Sequence, residues 1–184
     1  MTEVQIRVQP TPNPNAWKFV LDCPVLNEGK ATFNSKEDAI GNTLAIDILA
    51  LEGVKQVHFF QNVITVTGRI DSDPDEIEKN VRAVIETRIS THNPNWGIQD
   101  SKKAKRADLP EDVQKIEEIL DRTIRPGLQG DGGDIEVVRY EDHKLFVAYQ
   151  GACGTCPSST TGTLMAIEGI IREEFDPQIE VIPV

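Results

Sequence analysis

The chain has 184 residues, 39% hydrophobic and 27% charged, with 13 Gly and 11 Pro spread along it. This is the composition of a foldable chain of one ordinary domain or two small ones, not of a collagen or a disordered tail. A net charge of -11 speaks against nucleic acid and anionic membrane surfaces, where affinity comes from neutralising phosphate, and no run of about 18 apolar residues could span a bilayer.

Val4 to Val8 alternates apolar and polar residues like a strand, and Trp17 to Leu21 reads as a second. Because the chain enters that alternation at once, no leader peptide is expected. Between the two strands lies Pro10-Thr-Pro-Asn-Pro-Asn15, where each proline fixes its own φ and restricts the residue before it. Ser35, three residues before Asp38, predicts a capping box. Ile40, Leu44, Ile48 and Leu51 follow at helical spacing, and Gly53 suits the exit. Val54 to Phe60 and Val63 to Thr67, joined by Gln61-Asn62, predict a hairpin. Asp73-Pro74-Asp75-Glu76 opens a helix with a cap, a proline at its first position and early acidic residues. Its apolar stripe is Ile77, Val81, Val84, Ile85 and Ile89, and Asn93-Pro94 ends it.

From Asn93 to Ala107 periodicity vanishes and the chain turns polar and basic, which predicts a flexible linker; its Lys102-Lys103-Ala-Lys105-Arg106 cluster reads as solvated. Beyond it, Val113, Ile116, Leu120 and Ile124 mark a helix that Arg125-Pro126-Gly127 should stop. Gly130-Asp-Gly-Gly-Asp134 predicts a tight turn, because no Lys follows and its acidic residues would repel phosphate. Ile135 to Tyr140 and Leu145 to Tyr149 read as strands. Leu164, Ile167, Ile170, Ile171 and Phe175 then trace a helix, and Ile179 to Ile182 a last strand. The expected class is α+β: two small α/β domains, about β-β-α-β-β-α over residues 1-92 and α-β-β-α-β over 108-184, joined by a linker at 93-107.

The chain has 3 Cys, namely Cys23, Cys153 and Cys156. An odd, sparse set points to a reducing compartment rather than a secreted disulfide framework. Cys153 and Cys156 fall in Gly151-Ala-Cys-Gly-Thr-Cys-Pro157 between a strand and an amphipathic helix. A helix N-terminus offers free N–H groups and a partial positive charge, which stabilise thiolates and any anionic cluster they hold. The pair alone admits half a zinc site, a dithiol redox couple, or half an iron-sulfur site. Metal centres usually take four protein ligands, whereas this half of the chain offers two thiols and one imidazole, His143. The simplest completion is a second copy at a two-fold axis.

At these residues, Leu128 to Ile135 followed by Gly151 to Leu164, the sequence resembles the C-terminal domain of the NifU-like (Nfu) proteins. Thr11-Pro-Asn-Pro-Asn15 with Lys18-Phe19 is similar to the N-terminal domain of Nfu members. The resemblance implies a non-enzymatic scaffold or carrier: a homodimer sharing a [4Fe-4S] cluster, with [2Fe-2S] as the other form, through Cys153 and Cys156. It would receive the cluster from upstream assembly machinery and pass it to apo iron-sulfur clients. The further cysteine-bearing domains of NifU are missing, which implies a late-acting carrier. The N-terminal domain, without a ligand cluster, is expected to serve target recognition or regulation. A bacterial cytoplasm is expected ahead of an organelle, because no transit peptide is read, although a processed mature mitochondrial chain would look the same.

The competing readings are a thiol-disulfide oxidoreductase with Cys153 as nucleophile and Cys156 as resolving thiol, or a structural zinc site. Against the first, thioredoxin-like proteins carry CxxC after the first strand of a βαβ unit, whereas here a hairpin precedes it. Cys23, before Pro24, is expected to pack rather than ligate. His58 is expected to be structural, and His92 to sit at a helix end.

Overall fold

In the computed structural model, residues 4–97, 109–155 and 157–184 are described. The predicted linker from position 98 onward, with its basic cluster, and Cys156 lie outside these residues.

The N-terminal unit is a five-stranded antiparallel sheet covered on one face by two helices. Its strands are β1 (Ile6–Pro10), β2 (Ala16–Leu21), β3 (Lys30–Phe33), β4 (Val54–Phe60) and β5 (Val63–Gly68), in the spatial order β1-β2-β5-β4-β3. Alternation sends Phe19, Phe33, Val57, Phe59, Ile64 and Val66 into a core shared with helices α1 (Thr43–Leu49) and α2 (Pro74–Arg88). Asp73 caps α2 by accepting from Asp75 N at 3.0 Å and Glu76 N at 3.3 Å, and Pro74 opens it, as its sequence predicts. Arg88 of α2 reaches Asp47 of α1 at 2.5 Å. Residues 93–97 form turns, and the Trp96 ring lies 5.2 Å from that of Phe33.

Three local expectations change. Ser35 and Asp38 do exchange hydrogen bonds at 3.1 and 3.3 Å, yet they close only a turn. Gly41 adopts φ 85°, and the helix starts after Asn42, whose side chain accepts from Ala45 N at 3.1 Å. Ile40, assigned to the apolar face, is 74% exposed. Strand β3, four residues that pair with β4 from Lys30↔Phe60 to Phe33↔Val57, is too short for alternation to reveal. Finally, Arg125-Pro126-Gly127 ends one helix by starting another, since proline suits a first helical turn as well as a stop.

The C-terminal unit runs α3 (Glu111–Thr123), α4 (Arg125–Gly130), β6 (Gly133–Glu141), β7 (Lys144–Gly151), α5 (Pro157–Glu174) and β8 (Glu180–Pro183). β6 and β7 form an antiparallel hairpin, whereas β7 and β8 pair in parallel across the α5 crossover. Ile116, Leu120, Ile135, Leu145, Ile167 and Ile171 are fully buried between helices and sheet. Asp176 closes the far end by accepting from Tyr140 Oη at 2.7 Å and from His143 Nδ1 at 2.8 Å. His143 therefore ties the β6–β7 turn to the α5–β8 connection.

Candidate functional site

The cysteine loop leaves the carboxyl end of β7 as a short 3-10 turn, Ala152–Thr155, and enters α5 at Pro157. The strand–loop–helix context expected of the motif is present. Cys153 sits in the turn, 6% exposed, and packs into the same core as Ile116, Ile135 and Ile167.

Glycine makes the room for it. A Cβ on Gly133 would lie 2.3 Å from Cys153 Sγ and 3.1 Å from its backbone N. A Cβ on Gly151, which also holds φ 64°, would meet Gly132 O at 2.5 Å. The two ladders meet here, with Gly133 opposite Gly151 and Ala152 N donating to Gly132 O at 3.2 Å. The two glycine-rich stretches of the sequence are thus the facing walls of one niche. Beside it, burial, with the neighbouring Cys153 thiolate adding, pushes the Tyr149 hydroxyl up to about 12.

Behind the niche a buried ionic cluster holds α3, α4 and β6 together. Asp134, with no exposed surface, faces Arg125 Nε at 3.4 Å and accepts from Gln129 Nε2 at 3.2 Å. Arg125 also reaches Glu117 at 2.7 Å and Asp121 at 2.5 Å, and donates to Ile135 O at 3.1 Å. Lys30 joins the cluster from the other unit, 2.6 Å from Asp134 and 3.0 Å from Ile135 O. Burial alone would raise the Asp134 carboxyl, but Lys30, the Ile135 N–H and Gln129 together hold it below its ordinary value.

The contribution of the N-terminal sheet is what sequence reasoning missed. Across β3, β4, β5 and β2, Thr32, His58, Thr65 and Lys18 stand in one cross-strand row, with Gln56 and Thr67 in the next. These positions alternate with the core residues and read as a solvated face, yet His58, Thr65 and Thr67 are 1%, 0% and 0% exposed. That face is turned to the cysteine loop. Gly151 N donates to Gln56 Oε1 at 2.9 Å, Asn13 Nδ2 donates to Ala152 O at 2.9 Å, and Lys18 Nζ donates to Gly130 O at 2.6 Å. His58 pairs with Thr32 at 2.8 Å and lies beside Gly151. The only sequence signal was polar residues inside otherwise apolar strands.

Cys23 is half-buried against the N-terminal core, and burial, with Asp22 adding, raises its thiol. His92 donates to Val25 O at 2.7 Å, and burial outweighs that bond to lower its pKa. Among the described residues no three His, Cys, Asp or Glu side chains group as a metal site, and no helix is long and apolar enough to cross a membrane.

Two family models match the chain: the N-terminal domain of the Nfu/NifU scaffold protein at residues 6–92 and the NifU-like domain at residues 116–182. "NifU-like protein 4, mitochondrial" of Arabidopsis thaliana is 32% identical over 191 residues, covering 95% of this chain and 68% of that one. "NFU1 iron-sulfur cluster scaffold homolog, mitochondrial" of Homo sapiens is 32% identical over 179 residues, covering 95% and 69%. The chain belongs to the NifU-like (Nfu) family. The human relative is named as an iron-sulfur cluster scaffold homolog. Among solved structures, a NifU-like protein from Saccharomyces cerevisiae matches 48% of this chain and 80% of its own at 17% identity and a TM-score of 0.43. A Staphylococcus aureus protein matches 45% and 99% at 27% identity and a TM-score of 0.38.

Proposed function

We propose that the chain is an iron-sulfur carrier in which Cys153 and Cys156 of each of two subunits hold one shared [4Fe-4S] cluster for delivery to apo-proteins. The observation that carries this reading is the niche at Gly133, where the absence of a Cβ leaves room for the Cys153 thiol in the turn that enters α5. A helix start stabilises thiolates and an anionic cluster alike. The chain has only 3 Cys, and Cys23 packs in the other unit, so one copy lacks the four ligands a cluster needs. A pair of copies supplies them, and a site closed by two copies can be taken apart by a client's incoming cysteines. The protein is then a carrier rather than a catalyst. A compartment that keeps thiols reduced suits it, whether a bacterial cytoplasm or a mitochondrial matrix.

Anaerobic reconstitution with iron and sulfide tests the reading. The expected product holds about two iron per chain, absorbs in the visible and is a dimer whose association requires the cluster. Cys153→Ser and Cys156→Ser should each abolish all three properties. A colourless monomer that catalyses disulfide reduction would make the chain an oxidoreductase. Stoichiometric zinc that no acceptor removes would make the site structural.

A further inference from the structure

Cys153 is covered by the chain itself. Strand β5 packs against the 3-10 turn that carries the thiol, and the polar face of its sheet bonds mostly to backbone atoms of the loop walls. Gln56 takes Gly151 N, Thr67 Oγ1 lies 3.5 Å from Gly151 O, Asn13 takes Ala152 O, Lys18 takes Gly130 O, and Lys30 takes Ile135 O and Asp134. A cluster held by two copies needs the same loop to face its twin. Both arrangements cannot hold at once.

We propose that the polar face of the five-stranded sheet is a reversible cap on the cysteine loop, occupying in the cluster-free chain the surface that a second copy must use to share a cluster. The inference rests on the carrier reading and adds its regulation. Three observations point to a cap that opens rather than a permanent core. Among the described residues its hydrogen bonds and the Lys30–Asp134 ion pair come from Asn, Lys, Gln and Thr side chains, whose partners water can replace, and polar interfaces between domains are ones that move. The apolar face of the sheet is already filled by α1 and α2, so leaving the loop exposes no core. The two units keep separate hydrophobic clusters, so neither depends on the other for its core. Lys30 is the latch, since its ammonium meets a carboxylate with no exposed surface. Capping shields an unloaded thiol from oxidants and metals, and opening couples exposure of the loop to arrival of the second copy.

The test uses the full-length, reduced, cluster-free chain and follows iodoacetamide alkylation of each cysteine by peptide mass. Cys23, in the N-terminal unit, serves as an internal reference. Lys30→Glu sets a carboxylate against Asp134 and is expected to speed alkylation of Cys153 by about tenfold or more, the equilibrium share of one charge-assisted hydrogen bond, with Cys23 unchanged. Uptake of iron and sulfide should accelerate in step. If Cys23 accelerates as well, the sheet has loosened, and the decision passes to the double variant Lys18→Ala/Gln56→Ala, which must accelerate Cys153 alone. Unchanged Cys153 alkylation with unchanged Cys23 overturns the cap, even if the chain loads a normal cluster. Faster Cys153 alkylation in variants that never load a cluster leaves the cap standing and overturns the carrier reading.

Discussion

Gly133→Ala is expected to strip the chain of its cluster while leaving the N-terminal unit folded. The added Cβ would lie 2.3 Å from Cys153 Sγ and within 3.1 Å of its backbone N. The sulfur could swing away, but the nitrogen belongs to the turn that aims it. Overpacking of this kind costs about 1–3 kcal/mol. Displacing a ligand's support typically lowers metal affinity by about 10- to 100-fold. Gly130→Ala, three residues earlier, is the control, because a Cβ there meets nothing within 4 Å. It should change stability by no more than about 0.5 kcal/mol. Iron content after reconstitution and the urea midpoint check both variants. Parental loading by Gly133→Ala would show that the niche does not set the thiol.

The second large effect is on stability. Arg125→Ala removes a cation that reaches Glu117, Asp121 and Asp134, at a side chain only 6% exposed. Breaking a buried ionic group by deleting one partner costs about 3–5 kcal/mol, because the remaining charges stay buried. Lys30 and Gln129 still serve Asp134, and the Asp121 side chain is 42% exposed, so the low end of that range, about 3 kcal/mol, is expected. Arg125→Lys keeps the charge but not the fork that reaches three carboxylates and the Ile135 carbonyl, and should fall between parent and alanine. Because the folded state holds Asp134 below its ordinary pKa, this carboxylate's contribution is complete above about pH 4 and fades as acid titrates it through the lower folded value. The chromophores separate the two units. Both tryptophans, Trp17 and Trp96, pack in the N-terminal core, and both tyrosines, Tyr140 and Tyr149, in the C-terminal one. Arg125→Ala should lower the midpoint reported by tyrosine circular dichroism and leave tryptophan fluorescence nearly unmoved. Equal shifts in both signals would mean that the units unfold as one.

The parts legible in the sequence are those that local chemistry decides. Asp73-Pro74 opened a helix where it stood, and the strands around Gln61-Asn62 paired as a hairpin, because neighbours in sequence supply the partners. Ser35 and Asp38 show the limit of such signals: the reciprocal bonds formed, but Gly41 broke the chain before a helix could use them. Cys153 could be singled out from its spacing and company alone. The residues around it could not. Gly133 and Gly151 read as turn glycines, and only when β6 meets β7 does it emerge that Gly133 makes room for the Cys153 sulfur while Gly151 lets the chain pass close to Gly132. Thr65, Thr67 and His58 have the polarity of a wet sheet face, and alternation cannot tell water from a polar partner 84 residues further along the chain, as Thr67 finds in Gly151.

The parallel pairing of β7 with β8 also sets an order of events during synthesis. β8 spans Glu180–Pro183, beyond the α5 crossover, and Glu180 N reaches back to His143 O at 2.8 Å. The crossover that seats the cysteine loop therefore closes only after β8 has been made, later than β6, β7 and α5. A nascent chain arrested before β8 emerges is expected to leave Cys153 open to alkylation, whereas the released chain protects it. Protection that began before β8 appeared would place closure of the loop earlier, in the β6–β7 hairpin alone. Cluster loading, on this topology, would follow the emergence of β8.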